Sequence, residues 1–119
     1  MVHMFLYLTM SLNMNMQQDL YGLGARRIGV TTLPPIGCLP AAITLFGAGS
    51  NQCVARLNRD AISFNNKLKS TSESLKSRLP RLKLVVFDIY QPLLDLITSP
   101  SDHGMYLQQI KRVQIRHLN

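Results

Sequence analysis

The feature that most constrains this chain is a stripe of apolar residues between positions 54 and 79. Val54, Leu57, Ala61, Phe64, Leu68, Leu75 and Leu79 recur at steps of three, four and seven, which lines them along one side of a helix. Arg56, Arg59, Asn66, Lys67, Lys69, Glu73 and Lys76 fall between them and belong in water. Ser50 or Asn51 offers a side-chain cap at the start, and Pro80 stops the helix. The spacing therefore predicts an amphipathic helix of about six to seven turns, which needs something flat to cover its apolar face.

The flanking segments supply it. Arg27 to Leu33 is short and rich in β-branched residues, and Pro34 and Pro35 end it because proline donates nothing to a sheet ladder. Lys83 to Tyr90 contains the continuous apolar run Leu84-Val85-Val86-Phe87, which suits a parallel strand buried on both faces. Strand, crossover helix and strand make one βαβ unit. A helix should end near Leu23 after Met16, Leu20 and Leu23, with Gly24 as its left-handed cap. Another should open at Pro92, running through Leu93-Leu94-Asp95-Leu96-Ile97. The expected class is α/β, with helices covering a parallel sheet of which two strands are visible.

Residues 36 to 53 read as a long connection without secondary structure, containing Gly37, Gly47 and Gly49. Such a connection is uncommon unless it carries function or is fastened down. Cys38 and Cys53 bracket it. Oxidised, they would close a loop of about 15 residues, worth on the order of 3 kcal/mol. Two separate thiols in a reducing compartment are the alternative.

The 119 residues leave room for one modest domain, and a hydrophobic fraction of 46% with 16% charged residues reads as globular. No apolar run reaches the roughly 20 residues that span a bilayer, so no transmembrane segment is expected. Met4 to Met10 is apolar, but no Lys or Arg precedes it and no small-residue cleavage site follows, a poor match to a signal peptide. The net charge of +7 invites a nucleic-acid reading. The cations are scattered along the chain, however, apart from Lys111, Arg112 and Arg116, and no interleaved aromatics offer a stacking platform. No specific nucleic acid is expected as a partner. Nor is a metal or other cofactor, since Cys38, Cys53, His3, His103 and His117 match no familiar ligand spacing.

Three stretches together carry a resemblance. Leu20-Tyr21-Gly22-Leu23-Gly24-Ala25-Arg26-Arg27 runs into Val30-Thr31-Thr32-Leu33-Pro34-Pro35-Ile36-Gly37-Cys38-Leu39-Pro40. Cys53 and Leu57-Asn58 lead into Phe64-Asn65-Asn66-Lys67-Leu68. Asp88-Ile89-Tyr90 precedes Pro92-Leu93-Leu94-Asp95-Leu96-Ile97. This order resembles the second half of the plant-type GDSL esterase/lipases, a branch of the SGNH hydrolases, over residues 17 to 104. The remainder, 105 to 119, diverges into a basic tail, and residues 1 to 119 are read as a single partial domain. The resemblance implies a three-layer α/β/α sandwich, acyl-ester or lipid substrates, and secretion, which supports the bridge between Cys38 and Cys53.

It also implies a serine nucleophile, a histidine base oriented by an aspartate, and small oxyanion donors. None of these maps onto the chain. No Gly-Asp-Ser occurs, the G-x-N-D block belongs before the matched region, and no acidic residue stands three positions before a histidine. The chain is thus expected to be an internal piece with no catalytic residue of its own and no activity alone. A non-catalytic basic module that binds an anionic partner is the alternative. Ser50 lacks a nucleophile elbow and reads as a loop or capping serine. Asp102 and His103, being adjacent, read as a surface turn rather than a dyad. Asp88, at the carboxyl end of the second strand, is placed where α/β sheets gather ligands, although an aspartate there also suits capping the next turn. Thr31 and Thr32 occupy the matching end of the first strand.

Overall fold

The structure, a computed structural model, describes residues 2–103 and the side chains of residues 11–102. The expected basic cluster of Lys111, Arg112 and Arg116 lies outside them. The chain opens with helix α1 (Val2–Gly22), followed by strand β1 (Arg27–Thr31). A short 3-10 turn (Ile36–Cys38) and helix α2 (Pro40–Phe46) come next. Helix α3 (Ala55–Arg78), strand β2 (Lys83–Phe87), helix α4 (Tyr90–Thr98) and a last 3-10 turn (Pro100–His103) complete it.

The end of α1 is built as its residues suggest. Gly24 takes φ +103°, a conformation costly for any side chain. Its N–H bonds the Tyr21 carbonyl at 3.0 Å, while the Ala25 N–H reaches back to Leu20 at 2.9 Å. This pair of bonds is the Schellman closure, and it turns the chain directly into β1. The helix itself reaches back to Val2, well before Met16, the first residue of the spacing that marks its end.

β1 and β2 pair in parallel with Ile28 opposite Leu84 and Val30 opposite Val86. The last rung is the Thr32 N–H to the Phe87 carbonyl at 3.0 Å. Both strands end sooner than expected, because Asn65 of α3 takes the Leu33 N–H and carbonyl and the segment after Asp88 turns into α4. On the inner face Val30, Leu82 and Leu84 bury against Leu75 of α3, with Tyr21, Ile28, Leu79 and Val86 packed around them. Leu68 and Leu75 are at most 1% exposed, each worth about 2 kcal/mol of apolar transfer. The expected burial of β2 on both faces is corrected: Val85 and Phe87 are more than half exposed on the other side. Phe87 lies there over Gly29, where an added Cβ would come within 2.9 Å of the ring.

The connection from 36 to 53 is also corrected, since it contains a helix. Pro40 occupies the first turn of α2, where its fixed φ suits and its missing N–H costs nothing, and Ala41 and Ala42 favour helix. Cys38 and Cys53 are joined as a disulfide with Cα atoms 4.3 Å apart. Neither Ser50 nor Asn51 caps α3. Val54 occupies that position without a side-chain bond, and its own N–H is spent on the Gly37 carbonyl at 2.8 Å. The disulfide and the turn, rather than a capping side chain, set where this helix begins.

Candidate functional site

The carboxyl ends of both strands meet in a hydrogen-bonded cluster. Thr32, buried at 2% exposure, donates its hydroxyl to Asp88 Oδ1 at 3.3 Å and accepts the Ile89 N–H at 2.9 Å. Asp88 Oδ1 also accepts the Tyr90 N–H at 3.1 Å, closing the turn that starts α4. Lys69 of α3 reaches Asp88 Oδ2 at 2.5 Å. The Lys69 ammonium, together with the Tyr90 and Thr32 donors, holds the Asp88 carboxyl below its ordinary pKa despite a partial opposing effect of burial. Burial in turn pushes the Tyr90 phenol upward.

A second anchor fixes the loop beyond β1. Asn65 of α3, 4% exposed, accepts the Leu33 N–H at 2.7 Å and donates to the Leu33 carbonyl at 2.9 Å. One turn-pair earlier, Asn58 accepts the Gly37 N–H at 2.7 Å and donates to Cys38 Sγ at 3.3 Å. Gly37 is required by space: a Cβ there would sit 2.2 Å from the Val54 carbonyl oxygen. These two amides satisfy backbone groups that the Pro34-Pro35 break leaves without sheet partners.

This arrangement ties the two strand ends to α3 and to the start of α4. The Thr32 hydroxyl has both given and accepted a bond, and both Asp88 oxygens are engaged. Asp88 thus stands at the carboxyl end of β2, and its Oδ1 closes the next turn, the capping reading given for it above. Thr31 is exposed beside it. Ser50 accepts the Gln52 N–H at 3.1 Å, as a loop serine does. Asp102 accepts a 3.5 Å bond from Ser101, and the side chain of His103 lies outside the described ones. Among the described residues no group of His, Cys, Asp and Glu is placed to hold a metal ion, and no helix is long and apolar enough to cross a membrane.

Sequence reasoning assigned no role to Asn58 and Asn65, which do most of the anchoring. Their signal was present: Asn58, Asn65 and Ser72 stand seven apart, running alongside Leu57, Phe64 and Leu75. A polar residue recurring in step with an apolar stripe faces the interior and needs a partner there. Ser72 is buried in this row with no partner for its hydroxyl among the described residues.

A family model for GDSL-like lipase/acylhydrolase matches residues 7–114. The chain belongs to this family. Curated relatives agree. The GDSL esterase/lipase At5g03810 of Arabidopsis thaliana is 68% identical over 90 residues, 75% of this chain and 26% of the relative. At3g53100 from the same plant is 63% identical over 89 residues, 75% of this chain and 25% of its own length. The chain spans about a quarter of the length of the curated relatives it matches. No solved structure matches it. The parallel pair of strands joined through α3 is consistent with a partial α/β fold in this family.

Proposed function

We propose that this chain is scaffold of a GDSL-type ester hydrolase, acting in the whole protein on carboxylic esters of lipids or other acyl compounds. The observation that carries the proposal is family membership across residues 7–114, taken with a strand-end cluster in which the Thr32 hydroxyl and both Asp88 oxygens are already engaged. In such an enzyme a serine oxygen adds to the ester carbonyl and a histidine takes the serine proton. Small donors bear the resulting oxyanion, and the alkoxide leaves with a proton as the acyl-serine forms. None of those groups is found in the blocks that the sequence offers. What the Asn58, Asn65 and Asp88 anchors would do is fix the loops at the carboxyl end of the sheet, where α/β enzymes assemble their sites. The disulfide supports an oxidising, extracellular setting.

Two measurements test this. The chain alone should hydrolyse p-nitrophenyl esters no faster than buffer, and a serine-reactive phosphonate should label nothing. Transplanting residues 17 to 104 into the matching segment of the At5g03810 protein should preserve whatever ester hydrolysis that protein shows. Phosphonate-sensitive turnover by the isolated chain would overturn the scaffold role. A folded but inactive transplant, beside an active parent, would remove the equivalence on which the ester-hydrolase reading stands.

A further inference from the structure

The disulfide between Cys38 and Cys53 has two unlike ends. Cys38 is 7% exposed, whereas Cys53 is only half-buried. Among the described residues, the hydrogen bond to this bridge falls on Cys38 Sγ and not on Cys53 Sγ. Asn58 Nδ2 donates it, at 3.3 Å. The orientation of that amide is fixed from its other side. Asn58 Oδ1 accepts the Gly37 N–H at 2.7 Å, and only the carbonyl oxygen of the side chain can accept, so the nitrogen is left facing the sulfur. An N–H donor adds little to a neutral disulfide, since sulfur accepts weakly. Toward an anion the same donor binds far more strongly.

We infer that Asn58 sets the direction of thiol–disulfide exchange at this bridge: a small thiolate bonds to Cys53 Sγ, and Cys38 leaves as the thiolate that the Asn58 amide holds. In that step the Cys38–Cys53 bond breaks, its electron pair stays on Cys38 Sγ, and a new disulfide joins Cys53 to the small thiol. A second small thiolate then displaces Cys53, so that two thiols become one disulfide and the chain gains two. Closing the bridge runs the same path backward, with the Cys38 thiolate attacking the mixed disulfide at Cys53. Exchange favours the sulfur that can be reached and the leaving thiolate that is better stabilised. Both criteria select the same polarity here. Burial by itself opposes an anion at Cys38, and the Asn58 donor offsets that. The Gly37 N–H bond to Asn58 and the Val54 N–H bond to the Gly37 carbonyl do not pass through the disulfide. They keep Cys38 in place while residues 39 to 53 swing free, so the opened bridge is poised to reclose. Nothing in this polarity depends on ester chemistry.

Brief exposure of the full chain to glutathione, a quench with N-ethylmaleimide and mass spectrometry of the peptides reads which cysteine carries the glutathione. Singly modified chains should carry it on Cys53 in preference to Cys38 by about tenfold or more, the factor that one hydrogen bond to a charged group supplies. Asn58→Asp retains an acceptor for the Gly37 N–H and sets an anionic oxygen against the sulfur in place of the donor. In that variant the preference should fall by about tenfold. A merely structural role for Asn58 would leave the position of the glutathione where it was. Glutathione on Cys38, or an even split, in the parent chain would overturn the inference without recourse to any variant. So would an unchanged preference in Asn58→Asp. A parent chain that forms no mixed disulfide at all would overturn it too, because a bridge closed to thiols has no exchange for Asn58 to direct.

Discussion

Replacing Asn65 tests the anchoring scheme most directly. Its side chain makes two short bonds to Leu33, one accepting the N–H at 2.7 Å and one donating to the carbonyl at 2.9 Å, from a site only 4% exposed. Asn65→Leu keeps the volume roughly constant and removes both bonds. Each neutral hydrogen bond contributes about 1–1.5 kcal/mol net, and partly buried partners left unpaired push the cost upward. The sum is about 2–3 kcal/mol, a large share of the ~5–15 kcal/mol that holds whole domains together. The assay is amide hydrogen exchange, which reads local opening without requiring a single global transition. Leu33 should exchange about 30- to 150-fold faster in Asn65→Leu than in the parent. The Ile28 and Leu84 amides, on the far side of the pair, should change less. If the Leu33 amide exchanged at the same rate in both proteins, Asn65 would not be holding that loop, and the anchoring argument would fail.

Other expectations are as direct. Reduction of the Cys38–Cys53 disulfide, or Cys38→Ser with Cys53→Ser, should cost on the order of 3 kcal/mol of loop closure and open residues 39 to 52 to proteolysis first; an unchanged cleavage pattern would contradict it. Arg81 sits at φ +60° in the turn closed by the Leu82 N–H and the Leu79 carbonyl. Arg81→Gly relieves about 1 kcal/mol of left-handed strain, partly offset by glycine's freedom when unfolded, so its urea midpoint should rise. Asp88 has a folded pKa depressed below its unfolded value. Its contribution is therefore present above the ordinary aspartate range and is lost as pH falls through the folded pKa. Lys69→Met should move the carbon-13 titration of Asp88 upward, and because both side chains are nearly half exposed the accompanying stability change should be small.

What the sequence determined alone was local. The apolar stripe of α3, the β-rich runs of both strands, the Gly24 cap and the Pro80 stop each follow from neighbouring residues, because helix and strand periodicities are written within a few turns of chain. The family order of Leu33-Pro34-Pro35-Ile36-Gly37-Cys38 and Phe64-Asn65-Asn66 was equally legible as a string. The tertiary structure decided what depends on residues far apart. Thr32 and Asp88 are separated by 56 positions, and only the parallel register brings them within hydrogen-bonding distance. Asn65 acquires its task because α3 packs so that its amide meets a loop 32 residues earlier. The run Leu84 to Phe87 looked the same on both faces, since alternation cannot say which neighbours are present. Packing covers one face with α3 and leaves Val85 and Phe87 in water. Likewise α2 hid inside a glycine-bearing loop. Seven residues are too few for a periodic signal, and it was the disulfide and the Asn58 bonds at its base that held the helix in place.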